Sequence, residues 1–166
     1  AGNPFFSEEV IRSFIDEGLI EVKDDQFLLT ENIKYANIPE SIDNVLLSRI
    51  DRLDEKTKDL LKTASVIGRN FYYKVLEEAA VTIEEVDHKL EYLKDVQLIN
   101  ERKKKDEVEF LFKHALAQQA TYESIVEKTK KELHLKIALS IEKVFAGRSH
   151  EFYGMLAHHY SRAEQK

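Results

Sequence analysis

The chain has no cysteine, only five glycines and two prolines, and no long apolar run in its 166 residues. The missing cysteines exclude disulfides, thiolate nucleophiles and cysteine-based zinc sites. The five scattered glycines leave no Gly-x-x-x-x-Gly-Lys-Ser/Thr loop, so this chain has no cradle for the phosphates of Mg-ATP. No apolar run approaches the roughly 20 residues that a membrane helix needs. We therefore expect a cytoplasmic protein with no membrane partner and no catalytic residues in this chain.

Hydrophobic residues make up 43% of the chain and charged residues 34%. This is enough apolar material for a core, and with so little glycine and proline it is typical of a mainly helical globular protein. The formal net charge of −6 opposes binding to the phosphate backbone of nucleic acids. The only methionine is Met155, so we expect the chain to be a piece of a longer protein.

Apolar residues recur at helical spacing through most of the chain. Gly18 is predicted to end the first helix as a left-handed cap, and Gly68 is predicted to end a later one. Thr82 with Glu85 three residues on has the form of a capping box, which predicts that a helix starts at Thr82.

Four stretches depart from this helical spacing. Residues 19–22 and 27–30 predict a short hairpin. Residues 97–102 and 107–113 predict two further strands, since apolar and polar side chains alternate before His114. Helix, helix, helix, strand, charged turn and strand is a winged-helix order. We therefore expect a mainly α protein with small β hairpins, in which a winged-helix domain is flanked by helical segments.

Several short motifs resemble a known family when they are taken in chain order. They are residues 2–6, 38–42, 47–53, 64–71, 112–124 and 156–160. Together they resemble the C-terminal part of STAND-type (AAA-like) signalling ATPases, of the kind fused to class III adenylate or guanylate cyclases. The resemblance implies three parts: residues 1–37 end an ATPase lid with a hairpin, residues 38–116 form the winged-helix domain, and residues 117–166 begin a tetratricopeptide-like (TPR) array.

The same resemblance implies a mechanism. A P-loop core upstream of this chain would hold ATP or ADP with Mg, and Gly2 and Pro4 would lie near the nucleotide. His114 would approach the nucleotide phosphates in the closed, ADP-bound state. An imidazole can donate a hydrogen bond to a phosphate oxygen, and a contact made in one domain arrangement only would bias a two-state equilibrium.

The implied function is regulatory: nucleotide binding by the parent is relayed in signal transduction to an output domain such as an adenylate cyclase. The parent protein would be an ATPase, a cyclase or both. The expected partners are the P-loop core and the TPR-like repeats of the same chain, together with other proteins. This fragment would hold no cofactor of its own. A purely structural interpretation stays open for His114, as a packed ring, and for Pro4, as a turn or helix-start residue.

The residues leave two other functions open. The basic residues 102–105 at a predicted turn could contact DNA in a winged-helix transcription regulator, but acidic neighbours and the acidic helix 82–96 argue against a nucleic acid partner. A protein-interaction scaffold, in which the helical array performs the function, is the other alternative. Separately, the aromatic residues near the C-terminus are expected to form an exposed stacking surface through which the chain could dimerise. These are Phe145, Phe152, Tyr153 and Tyr160.

The histidines raise the question of a metal site. His158 and His159 are adjacent, and adjacent side chains on a helix point about 100 degrees apart, so they are poorly placed to share one ion. His150 lies eight residues before His158. We therefore predict no metal site, and we assign His88 and His134 to helix surfaces.

Overall fold

The computed structural model describes residues 3–36, 41–104 and 106–164. Over these residues the protein is mainly α-helical with two small antiparallel sheets, which confirms the predicted fold class at that level. The chain divides into two compact units, residues 1–53 and 54–166. Among the described helices, none has both the length and the apolar character needed to cross a membrane.

The elements follow one another with short connections. In chain order they are α1 Pro4–Asp16, β1 Ile20–Lys23, β2 Gln26–Leu29, a 3₁₀ helix Glu31–Tyr35, α2 Ile42–Asp51, α3 Glu55–Ile67, β3 Asn70–Tyr72, α4 Tyr73–Ala79, α5 Val86–Asp95, β4 Ile99–Lys104, β5 Glu107–Phe112, α6 Ala115–Glu123, α7 Glu127–Val144, a second 3₁₀ helix Ala146–Phe152, and α8 Tyr153–Glu164.

In the first unit, α1 ends as the sequence predicts. Gly18 has a φ of 68° and lies in the left-handed region. The amide of Gly18 donates to the Ile15 carbonyl at 2.9 Å, and the amide of Leu19 donates to the Phe14 carbonyl at 2.8 Å. These two bonds form a Schellman motif, which satisfies carbonyls at the helix end. The predicted hairpin follows as β1 and β2.

A buried ion pair joins α1 to α2 within the first unit. Arg49 of α2 pairs with Glu9 of α1, and their side chains are only 1% and 2% exposed. The Nε atom of Arg49 also lies 3.2 Å from a carboxylate oxygen of Asp16. The helix α2 thus lies in the first unit, whereas the division inferred from the sequence assigns it to a winged-helix domain of residues 38–116.

The second unit is built around a three-stranded sheet in the order β3-β5-β4, with both pairs antiparallel. The strands β4 and β5 confirm the two strands predicted on either side of the charged turn. The third strand, β3, is not predicted, because three residues are too few to show alternation. The largest fully buried side chains of this unit include Leu60, Leu61, Phe71, Leu76, Leu93, Ile99, Phe112, Ile137 and Ile141.

The start of α5 differs from the prediction. This helix begins at Val86, and Glu85 before it has a φ of 56° and makes no side-chain cap. Thr82 therefore does not cap the helix. The reason is local, because the amide of Ile83 donates to the Ala80 carbonyl at 2.8 Å and closes a turn before the helix can start.

An aromatic stack ties the second 3₁₀ helix to the sheet. The rings of Phe145 and Phe152 stack with centroids 4.0 Å apart, and Tyr72 of β3 lies edge-on to both. Both phenylalanines are buried. The exposed stacking surface expected from the sequence is therefore wrong for these two residues. Arg148 extends the same link, since its Nη2 atom donates to Glu107 of β5 at 2.9 Å.

Candidate functional site

Of the three residues predicted to contact nucleotide, the structure describes Pro4 and His114, and these two lie in different units. Gly2 lies outside the described residues. Pro4 is the first residue of α1 and is exposed, behind Asn3, whose side chain accepts from the amide of Phe5 at 3.1 Å. Its fixed φ suits the first turn of a helix, where its missing N–H costs nothing. His114 is half-buried and lies in the second unit, between β5 and α6.

The position of His114 is fixed by the sheet. It comes two residues after Phe112, the last residue of the central strand β5. The amide of Phe112 donates to the Arg69 carbonyl at 2.9 Å, and the amide of Lys113 donates to the Leu98 carbonyl at 3.0 Å. Backbone on both sides therefore holds the segment that leads into His114, and the starts of β3 and β4 lie at the same end of the sheet.

His114 is also the N-cap residue of α6. Its backbone is extended (φ −127°, ψ 136°), its imidazole does not cap the helix, and the first turn of this described helix carries no acidic side chain. Unbonded amides and the helix dipole give such a terminus a positive partial charge, which attracts anions. The helix is held in place because the Nε2 atom of Gln118 donates to the Ser65 carbonyl of α3 at 2.7 Å.

Lys113 is oriented by Gln97, at the end of α5. The Nζ atom of Lys113 donates to the Oε1 atom of Gln97 at 2.7 Å. Gln97 has a φ of 59°, and its amide donates to the Lys94 carbonyl at 2.9 Å while that of Leu98 donates to the Leu93 carbonyl at 3.0 Å. This is a second Schellman motif, with glutamine where glycine is usual. The end of the sheet thus combines Arg69, Lys113, His114 and a helix N-terminus.

The β4–β5 hairpin carries basic side chains that are paired within the unit. Arg102 donates to Glu109 at 2.7 Å, and Lys94 donates to Glu101 at 2.8 Å. The hydrogen bond that Lys94 donates to Glu101 raises the pKa of Lys94 to about 12. Since α5 also carries Asp87, Glu91 and Asp95, this face has little excess positive charge to attract a DNA backbone. Lys105 lies outside the described residues.

A second cluster of polar side chains joins α6, α7 and α8. The Nδ1 atoms of His134 and His159 lie 2.8 Å apart, and the Oη atom of Tyr122 lies 3.0 Å from the Nε2 atom of His134. His134 and His159 are 2% and 1% exposed, while the neighbouring His158 is exposed. The assignment of His134 to a helix surface is therefore wrong, because it lies on the side of α7 that packs against α8.

Both buried imidazoles are neutral near pH 7. Burial lowers the pKa of His134 to about 4, with the charges of His158, Arg162 and Lys130 adding to the effect. Burial likewise lowers the pKa of His159 to about 3, with His134 and then His158 contributing. In the bond between the two Nδ1 atoms, one ring donates and the other accepts, so the two rings hold opposite tautomers.

The sequence carries a signal for this cluster in the register of its histidines with buried apolar residues. His134 continues the buried stripe of Ile137 and Ile141 at spacings of three and seven residues, and His159 lies three residues after the buried Leu156. A histidine in register with a buried stripe is expected to face the core.

Comparison of the chain with protein-family models, with curated proteins and with solved structures found no match.

Proposed function

We propose that this chain is a regulatory part of a multidomain signalling ATPase, in which the junction of β5 and α6 contacts the phosphates of a nucleotide held by an upstream P-loop core. The observation that carries the proposal is the position of His114, between the central strand and a helix N-terminus with no acidic side chain in its first turn. On this proposal the protein works in the cytoplasm and relays nucleotide state to an output domain such as a nucleotide cyclase.

The order of elements in the second unit supports this proposal. Helix α3 is followed by β3, by helices α4 and α5, and by the β4–β5 hairpin, with the strands in the order β3-β5-β4. This is the order of a winged helix, the domain that the family resemblance implies. The helices α7 and α8 then pack against each other as a pair, as the first helices of a TPR-like array would.

The chemistry of the junction suits a phosphate. An imidazole N–H and the first amides of α6 are donors, and Arg69 and Lys113 add positive charge at the same end of the sheet. A hydrogen bond to a charged group contributes about 1.5–3 kcal/mol. Since the contact exists in one domain arrangement only, losing it shifts the balance between arrangements by roughly 10- to 100-fold.

The test uses the full-length protein with His114→Ala, and with His88→Ala as the matched control, since His88 is an exposed histidine on α5. The proposal expects ADP to dissociate at least tenfold faster from the His114 variant, with raised basal output, and at an unchanged rate from the control. An ADP dissociation rate within twofold of wild type would leave only the scaffold function.

The reading frame that precedes residue 1 offers an independent check. The proposal requires a P-loop, followed by a strand ending in acidic residues, within the same open reading frame. A reading frame without a P-loop removes the nucleotide that His114 is proposed to contact.

A further inference from the structure

Three histidines of α7 and α8 converge at one point of the second unit. One ring nitrogen from each of His134, His158 and His159 lies within 4.8 Å of the other two. In a tetrahedral zinc site with Zn–N bonds of about 2.0–2.1 Å, neighbouring nitrogens are about 3.3 Å apart. The three nitrogens are thus within small side-chain rotations of a shared ion. We propose that these histidines form a binding site for a divalent transition-metal ion, with Zn²⁺ as the matched ion.

The arrangement of the rings supports the same conclusion. The centroid of the His134 ring lies 5.7 Å from that of His158 and 5.1 Å from that of His159, and the His158 and His159 centroids are 5.2 Å apart. The point equidistant from three such centroids is about 3.1 Å from each, close to the distance that a Zn–N bond plus the ring radius gives. The spacing of the three rings is therefore compatible with one shared ion.

No metal site is predicted from the sequence, because adjacent histidines on a helix diverge. This divergence argues against a site formed by His158 and His159 of α8 alone. In the structure the third ring comes from α7, and His134 lies close to both of its partners. His134, on the facing helix and 25 residues before His159, thus supplies a ligand close to both histidines of α8.

The protonation states allow binding without loss of a proton from the protein. A neutral imidazole carries one ring proton, and metal ligation by Nδ1 leaves that proton on Nε2. In the metal-free protein one of the two Nδ1 atoms of His134 and His159 carries a proton. Binding moves this proton to Nε2 of the same ring. The Nε2–H of His134 then donates to the Oη atom of Tyr122, which lies at 3.0 Å, and this hydrogen bond orients the ligand.

The site also has an entry path and a selectivity. His158 is exposed, so an ion can reach the buried pair from solvent and retain a water as its fourth ligand, as three-histidine zinc sites do. Neutral imidazoles favour late first-row ions such as Zn²⁺ and Co²⁺ over Mg²⁺ and Ca²⁺, which prefer oxygen ligands. The bound ion would cross-link α7 to α8.

The test titrates the tag-free, chelator-treated chain with Co²⁺, followed by its visible d–d absorption, and then displaces Co²⁺ with Zn²⁺. The expected result is one ion per chain, no binding of Mg²⁺, and a higher thermal midpoint with Zn²⁺. His158→Ala, at an exposed position that leaves the core intact, is expected to weaken Zn²⁺ binding at least tenfold. His88→Ala is the matched control and is expected to bind as wild type does.

Tyr122→Phe separates a positioning role from simple packing. Loss of a hydrogen bond to a ligating histidine lowers metal affinity by about 10- to 100-fold, whereas the ring of phenylalanine keeps the packing. Absence of saturable binding of Zn²⁺ at one ion per chain, or equal affinity of His158→Ala and wild type, would overturn the proposal. These outcomes are independent of ADP retention by the full-length protein, so they leave the role of His114 untouched.

Discussion

Acid should destabilise the metal-free second unit through His134 and His159. Both are buried, and burial lowers the pKa of His134 to about 4 and that of His159 to about 3. In the unfolded chain both return to an ordinary pKa of about 6.5. Between these limits the unfolded state binds more protons than the folded state. Stability is therefore full above pH 6.5 and falls as the pH drops from 6.5 toward the folded pKa.

The size of the effect at pH 5 depends mainly on the unfolded pKa. Because both folded pKa values lie below 5, each imidazole remains neutral in the folded state while its unfolded form is protonated. A difference of about 1.5 pH units, at about 1.4 kcal/mol per unit, gives a loss of about 2 kcal/mol for each histidine. Two such losses are a large part of the 5–15 kcal/mol that typically stabilises a domain.

The assay is urea unfolding of the chain between pH 7.5 and 5, with a chelator present and NMR signals of α7 as the probe. His159→Gln removes one titrating ring, and we expect its loss of stability over this range to be about 2 kcal/mol smaller than that of wild type. His88→Gln is the control and should follow the wild-type curve, since His88 is exposed. Parallel curves for wild type and His159→Gln would refute the reasoning.

Two further predictions concern other parts of the chain. Glu9→Ala leaves Arg49 as a buried charge without this partner, and we expect the free energy of unfolding of the first unit to fall by about 3–5 kcal/mol in urea; Glu8→Ala, at an exposed neighbour, should cost far less. Gln97→Gly relieves a left-handed backbone and should raise stability by up to about 1 kcal/mol in thermal unfolding. A lower stability of this variant would mean that the bond from Lys113 outweighs the strain.

Local signals in the sequence predict local structure well. The cap at Gly18 and the strands around the charged turn depend on residues within a few positions of one another, and the structure has both. The position of His114 between a strand and a helix follows from the same short-range patterns. The start of α5 does not follow from them, because the chain at Thr82 forms a turn closed by the Ile83 amide and Glu85 adopts a left-handed backbone, so the helix begins later.

Non-local pairs are what the sequence conceals. The strand β3 forms because Phe71 pairs with Phe110, which lies 39 residues later in the chain. Its three residues are too few to show the alternation that predicts a strand. The bond between His134 and His159 likewise joins two helices. Neither histidine has a local motif, and only its register with a buried stripe distinguishes it from a surface histidine.

The stack of Phe145 and Phe152 on Tyr72 has a mechanical consequence. It packs the segment between α7 and α8 against β3, and the hydrogen bond from Arg148 to Glu107 of β5 adds a second contact between this segment and the sheet. If the sheet tilted, α7 and α8 would therefore move with it as one rigid unit. Bending between the sheet and these helices is disfavoured at this stack, so a tilt of the sheet would displace the far end of α8 further than the sheet itself.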